Sequence, residues 1–149
     1  MDEEERDLLI AKREKLNLKK YFKKFETISL INFEETDSVW YREFYTKLNK
    51  FNHIYSVPNF VKPCCLIEDE IIKWALEHLS DFSDETNFLL PVQNYLANIE
   101  VRSFSHAVQE LWRPYSNIGV SITMANKNKK KIFHVFEDEY EYQLYIDEI

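Results

Sequence analysis

The 149 residues are 45% hydrophobic and 15% aromatic, enough material for one domain with a real core, and they exclude a disordered chain. A net charge of −7 repels phosphate backbones, which sets nucleic acid aside as a partner and favours a basic protein instead. The single glycine, Gly119, excludes a dinucleotide fingerprint and a P-loop, both of which need more than one.

Glu3, Glu4 and Glu5 precede Lys19, Lys20, Lys23 and Lys24, an order that complements the dipole of a helix over residues 3–25. Leu8, Ala11, Leu18, Phe22 and Phe25 form its stripe, with Lys15 at the skipped position and Asn17 as a candidate break. Lys12, Arg13, Lys15 and the four later lysines make the outer face cationic, read as a solvated face rather than an RNA or membrane contact. Residues 28–33 read as strand-like or extended. Asp37 or Ser38 then caps a helix to Phe51, with Trp40, Phe44, Leu48 and Phe51 inward and Tyr41 and Tyr45 beside them. Pro58 and Pro63 make residues 52–66 a loop. Glu68, Asp69 and Glu70 open a helix to Leu79, as ordinary dipole complementation rather than a metal cluster. Residues 80–94 read as a polar loop ending near Pro91.

The period then changes. Tyr95, Ala97, Ile99 and Val101 alternate with polar residues and predict a strand. Ser103 caps a helix carrying Phe104, Ala107, Val108, Leu111 and Trp112 on one stripe, and Pro114 stops it. Ile118, Val120, Ile122 and Met124 predict a second strand within 117–124. Residues 126–130 make a turn, 131–137 a third strand, and alternation from Tyr140 to Ile146 a fourth. The expected fold is α+β: N-terminal helices packed on a C-terminal, mainly antiparallel sheet of three to four strands with one intervening helix. It is expected as one domain, 1–149, with 1–94 mainly helical and 95–149 strand–helix–strand–strand.

Chemistry is sparse. The adjacent Cys64 and Cys65 suit neither a relaxed disulfide nor a spaced metal motif and read as reduced thiols. The acidic opening is unlike a signal peptide and no apolar run reaches a membrane span, so a soluble, cytoplasmic protein is expected. His53, His78, His106 and His134 show no paired ligand spacing, so no zinc and no cofactor are expected. His106 and Glu110 lie one helical turn apart and could hold a proton between them, with Arg102 nearby; a structural pair is the simpler reading. His134, between Phe133 and Val135, reads as a half-buried sheet histidine. Cys65 acting as a nucleophile with His78 or His106 has no local support. Arg102 and Arg113, with Trp112 and Tyr115, could form a small anion pocket or simply stack and cap.

The remaining feature is the acidic, aromatic end. Glu137, Asp138, Glu139, Tyr140, Glu141, Tyr142 and Tyr145 interleave carboxylates with rings. Such a surface suits a cationic cleft, aromatics anchoring and carboxylates steering, although an edge strand kept soluble by its charges has the same composition. In size, acidity, abundance of Lys, Asn, Ile, Phe and Tyr, and lack of a catalytic motif, the chain is similar to single-domain bacterial immunity proteins and antitoxins. That reading expects no enzyme but a binding protein that neutralises a basic partner, such as a nuclease toxin. Two alternatives stand beside it: a small enzyme or ligand-binding domain using His106, Glu110 and Arg102, and a phage-encoded inhibitor of a host nucleic-acid enzyme.

Overall fold

Capping decides where the helices begin. In the computed structural model, which describes residues 2–63, 67–113 and 119–149, the Asp2 side chain accepts the Glu5 amide at the head of α1 (Glu3–Phe22). Ser38 does the same for Tyr41 at the head of α2 (Val39–Phe51). Helix α3 (Glu68–His78) has no side-chain cap and relies on Glu68, Asp69 and Glu70 in its first turn. At the head of α4 (Phe104–Trp112), the Ser103 hydroxyl accepts the His106 amide. Helix α1 runs through Asn17 without a break, and a short 3₁₀ turn, Ser80–Phe82, follows α3.

The described residues form one antiparallel sheet of seven strands. These are β1 (Ile28–Phe33), β2 (Phe60–Pro63), β3 (Asn87–Val92), β4 (Tyr95–Val101), β5 (Ser121–Asn126), β6 (Lys131–Glu137) and β7 (Glu141–Glu148), in the order β1-β4-β3-β5-β6-β7-β2. The α+β class holds, but the expected three to four strands understate the sheet, and three of the seven strands lie within residues 1–94. Two were hidden by proline. Pro63 ends β2, a short strand at the sheet edge, where a missing N–H is tolerated. Pro91 lies in β3 beyond its single pairing with β5, Leu89↔Ala125, where the two strands have parted. The run Phe88, Leu89 and Leu90 is buried on both faces, so it shows no alternation to read. The second predicted strand is observed at Ser121–Asn126, and in it Thr123 and Ala125 are buried as well as Ile122 and Met124, so both of its faces are covered. Ile118, Cys64, Cys65 and Tyr115 lie outside the described residues.

The hairpin turns are made almost without glycine. Gln93 and Lys130 take the left-handed region at φ 56° and 55°, and Gly119 is at φ 101°. Helices α3 and α4 and the 3₁₀ turn cover one face of the sheet, where Phe82, Phe104 and Trp112 meet Phe88, Ile99 and Phe133. Helix α2 covers part of the other, where Phe44 and Phe51 pack on Leu89, Leu96, Ile132 and Tyr145. The C-terminal end of α1 joins the first layer through Phe22.

Candidate functional site

The acidic end is the hairpin joining β6 to β7. Glu137 closes β6, and Asp138, Glu139 and Tyr140 form the turn. The Asp138 carboxylate accepts the amides of Tyr140 (2.7 Å) and Glu141 (3.3 Å), so this acid shapes the turn rather than facing outward as a free charge. Glu139 and Tyr140 are fully on the surface, Tyr140 at 76% exposure. Among the described residues no cation pairs with Glu137, Glu139 or Glu141.

The tyrosines divide. Tyr142 is half-buried and stacks on Trp112 at 5.8 Å between centroids. Tyr145 belongs to the core, packed against Phe51 and His134, with its hydroxyl donating to Gln143 (2.9 Å) and meeting Ser56 (3.2 Å). Only Tyr140 of the three stands clear of the fold.

The register of β2 on β7 extends this surface. Pro63 pairs with Glu141 beside the acidic turn, and Phe60 pairs with Leu144 three residues away, roughly 10 Å along the strand. The loop before Phe60 then exposes Ile54, Tyr55 and Val57 at 85%, 80% and 83%. Val61 on the edge strand is itself exposed, while Phe60 is held by a close stack on His78 at 3.7 Å. One flank of the sheet therefore runs from bare apolar side chains to a turn whose exposed carboxylate is Glu139, with Glu137 and Glu141 half-buried beside it. Sequence reading missed its apolar half because Ile54, Tyr55 and Val57 follow no helical or strand period. The signal was their position in a polar loop with no stripe to join.

Of the other sequence candidates, Glu110 ties two elements together. The Glu110 carboxylate accepts the amides of Glu26 (3.0 Å) and Thr27 (2.7 Å) and the Thr27 hydroxyl, tying the α1–β1 connection to α4. Burial pushes its pKa up, but these bonds outweigh burial and hold it below the ordinary value. Its oxygens are therefore engaged, and His106 and Glu110 do not form an isolated acid–base pair. The Arg102 amide donates to the Thr27 carbonyl beside them. Trp112 is fully buried, so it offers no anion-binding surface. His53 accepts the Tyr55 amide at 3.3 Å. His134 is more deeply buried than expected; its Nδ1 lies 2.7 Å from the Thr123 hydroxyl, and burial lowers its pKa to about 4. Among the described residues no group of three or more His, Cys, Asp or Glu could hold a metal, and no helix is long and apolar enough to cross a membrane.

A second concavity went unpredicted. On the sheet face that α2 leaves bare, a groove of about 800 Å³ gathers Asn32, Asn87, Asn98, Asn126 and Asn128 between Glu34 and Glu85. Asn98 donates to Asn32 and to Glu34, both at 2.8 Å; Lys127 donates to Glu34 at 3.0 Å; Asn128 donates to Glu85 at 3.0 Å. Asparagine is a poor strand residue, so its recurrence on neighbouring strands is a cost that propensity does not explain. Compared with models of known families, with curated proteins and with solved structures, the chain matches none.

Proposed function

We propose that the chain is a binding protein that neutralises a basic partner, as an immunity protein or antitoxin neutralises a nuclease toxin. The β2–β7 flank is its docking surface. The observation that carries the reading is that one flank, along β2 and β7, has the exposed Ile54, Tyr55 and Val57 toward one end and the acidic turn at the other. Large side chains exposed together are uncommon on a monomer and mark interaction sites. Carboxylates at the other end supply long-range attraction to a cationic cleft and speed encounter, while the apolar residues and Tyr140 hold the complex once formed.

The test is to isolate the stoichiometric partner from the native host and measure its binding kinetics at two salt concentrations. The partner is expected to be basic. Its association is expected to slow with salt and in the Glu139→Lys/Glu141→Lys variant, and its dissociation to quicken in Tyr55→Ala and Tyr140→Ala. An acidic partner, or association indifferent to the reversals, overturns the reading.

One observation favours a second reading, a ligand-binding domain. The amide-lined groove mixes donors and acceptors, and its one cation, Lys127, is already held by Glu34. It suits a neutral polar ligand rather than a phosphate. Loss of binding to a polyol or amide in Asn98→Leu, with the partner's affinity intact, would establish it as a separate site.

A further inference from the structure

The outer face of α1 is used neither by the core nor by the β2–β7 flank. Helix α1 is anchored near its C-terminal end by Leu18 and Phe22, which are 3% and 2% exposed. Every residue from Asp2 to Ile10 is exposed instead. Leu8, Leu9, Ile10 and Leu16 are 67%, 50%, 46% and 50% exposed, a large apolar area for one solvent-facing helix. Alongside, between the second half of α1 and the edge strand β1, lies a groove of about 550 Å³. Its apolar floor is Leu16, Phe25, Leu30 and Ile31, and Lys19, Lys20 and Lys23 rim it.

We infer that this groove takes the first turns of α1 from a second copy of the chain, in a two-fold dimer with the two α1 helices antiparallel. The order of charge along the helix is the main argument. Glu3, Glu4, Glu5 and Asp7 lie at one end and Lys19, Lys20 and Lys23 at the other. Antiparallel pairing sets each acidic end against the other copy's lysines, and the two-fold axis makes the match twice. Parallel pairing would set like charges together.

The apolar residues fit the same arrangement. Leu9 supplies the side chain for the floor of the opposite groove, with Leu8 and Ile10 leaving the helix about 100° to either side of it. Leu9 and Leu16 are seven residues apart, two turns along one face, which is the spacing of a helix–helix seam. An axis passing between Lys12 and Arg13 brings Leu9 of one copy to Leu16 of the other. Lys12 of one copy then faces Arg13 of the other, a central repulsion that the paired ends offset. An anionic membrane is a poorer occupant, because the acids on the same helix would be repelled by it.

Sedimentation of the full chain tests this. The wild type is expected as a dimer at micromolar concentrations. Leu9→Glu with Leu16→Glu is expected to raise the dimer Kd at least tenfold, with the helix content by circular dichroism unchanged. Glu3→Lys/Glu4→Lys/Glu5→Lys and Lys19→Glu/Lys20→Glu/Lys23→Glu are each expected to be monomeric alone and to form a heterodimer when mixed. A wild type that stays monomeric at about 100 μM (a Kd weaker than about −5.5 kcal/mol) overturns the inference. So does a dimer that the leucine variant leaves intact, or a charge-swapped mixture that stays monomeric. Sedimentation of a monomeric wild type with vesicles of anionic lipid, lost in the lysine variant, would give the face to a membrane and overturn the dimer.

Discussion

The two faces of the sheet are finished differently. Under α3, α4 and the 3₁₀ turn the packing is continuous and almost wholly apolar, with Phe82 in ring contact with Phe88, Phe104 and Phe133. Under α2 the apolar cluster is smaller and adjoins His134 and Thr123, and beyond the helix the strands turn Asn32 and Asn87 to solvent. Stability is concentrated in the first face, which leaves the second free to carry polar groups that cost something to place there.

The sharpest way to break this comparison is to open a cavity on each side. Phe82→Ala removes a fully buried ring held on several sides, where neighbours cannot close in, and is expected to cost about 4–5 kcal/mol. Phe44→Ala, also fully buried but on the one helix that covers this face, is expected to cost about 3 kcal/mol. Urea midpoints at equal m-values measure both. If Phe44→Ala costs as much as Phe82→Ala, the faces are energetically equivalent.

Between pH 6.5 and 5, acid probes the α2 face. His134 is ringed by Phe51, Phe136 and Tyr145, and its one hydrogen-bond partner there is Thr123. Burial lowers its pKa from 6.5 to about 4, so the folded protein resists a proton that the unfolded chain accepts. Stability is therefore whole above pH 6.5, falls as pH drops through that value, and reaches its full loss of about 3 kcal/mol below pH 4. Glu34, Glu110 and Asp147 have lowered pKa values, so their stabilisation is lost only as pH falls below the ordinary carboxylate range. The slope between pH 6.5 and 5 belongs to His134, and His134→Gln should flatten it in denaturation measured at several pH values.

Glu110 joins the sealed face to the β1 edge. Glu110→Ala leaves the Thr27 amide and hydroxyl and the Glu26 amide without their acceptor. The expected loss is about 1–2 kcal/mol, reduced by the water that reaches Glu26. A catalytic Glu110 would instead be dispensable for stability, so thermal unfolding separates the two roles.

Legibility followed the same division. The stripe Phe104, Ala107, Val108, Leu111 and Trp112 buries one side of one helix, and the predicted span 104–112 is the observed one. Alternation at 95–101 works because Asn98 and Glu100 face away from the sealed layer. It fails at Phe88–Leu90, where both faces are covered, and at β2, whose four residues are too few to show a period. Of the candidate site, the carboxylates were legible as a run of charge. The inward turn of Tyr145 was not, because strand parity sends Tyr140 and Tyr145 apart only once the turn at 138–140 is known. The groove of asparagines was illegible for a further reason: Asn32, Asn98 and Asn126 meet only through the strand order, which no local pattern encodes.

A smaller effect sharpens the reading of the single glycine. Gln93 occupies the left-handed region in the two-residue turn between β3 and β4. Gln93→Gly relieves that conformation but adds freedom to the unfolded chain, so a gain of at most about 1 kcal/mol is expected. A loss in thermal stability would mean that the Gln93 side chain holds the turn.

The smallest effect on stability is expected where the effect on binding is largest. Glu139 is exposed with no cation paired to it among the described residues, and Tyr140 is 76% exposed. If the flank serves recognition, Glu139→Lys and Tyr140→Ala each leave stability within about 0.5 kcal/mol of wild type, as surface substitutions do. The same two variants should then differ in kinetics against a basic partner: Glu139→Lys slows association and weakens its salt dependence, whereas Tyr140→Ala quickens dissociation. An edge strand protected by charge behaves in the opposite way. There Glu139→Lys is equally harmless because lysine guards an edge as well as glutamate does, and neither rate against any partner changes. Rates measured at two ionic strengths, beside urea midpoints for the same variants, decide between a surface built to be met and one built only to be left alone.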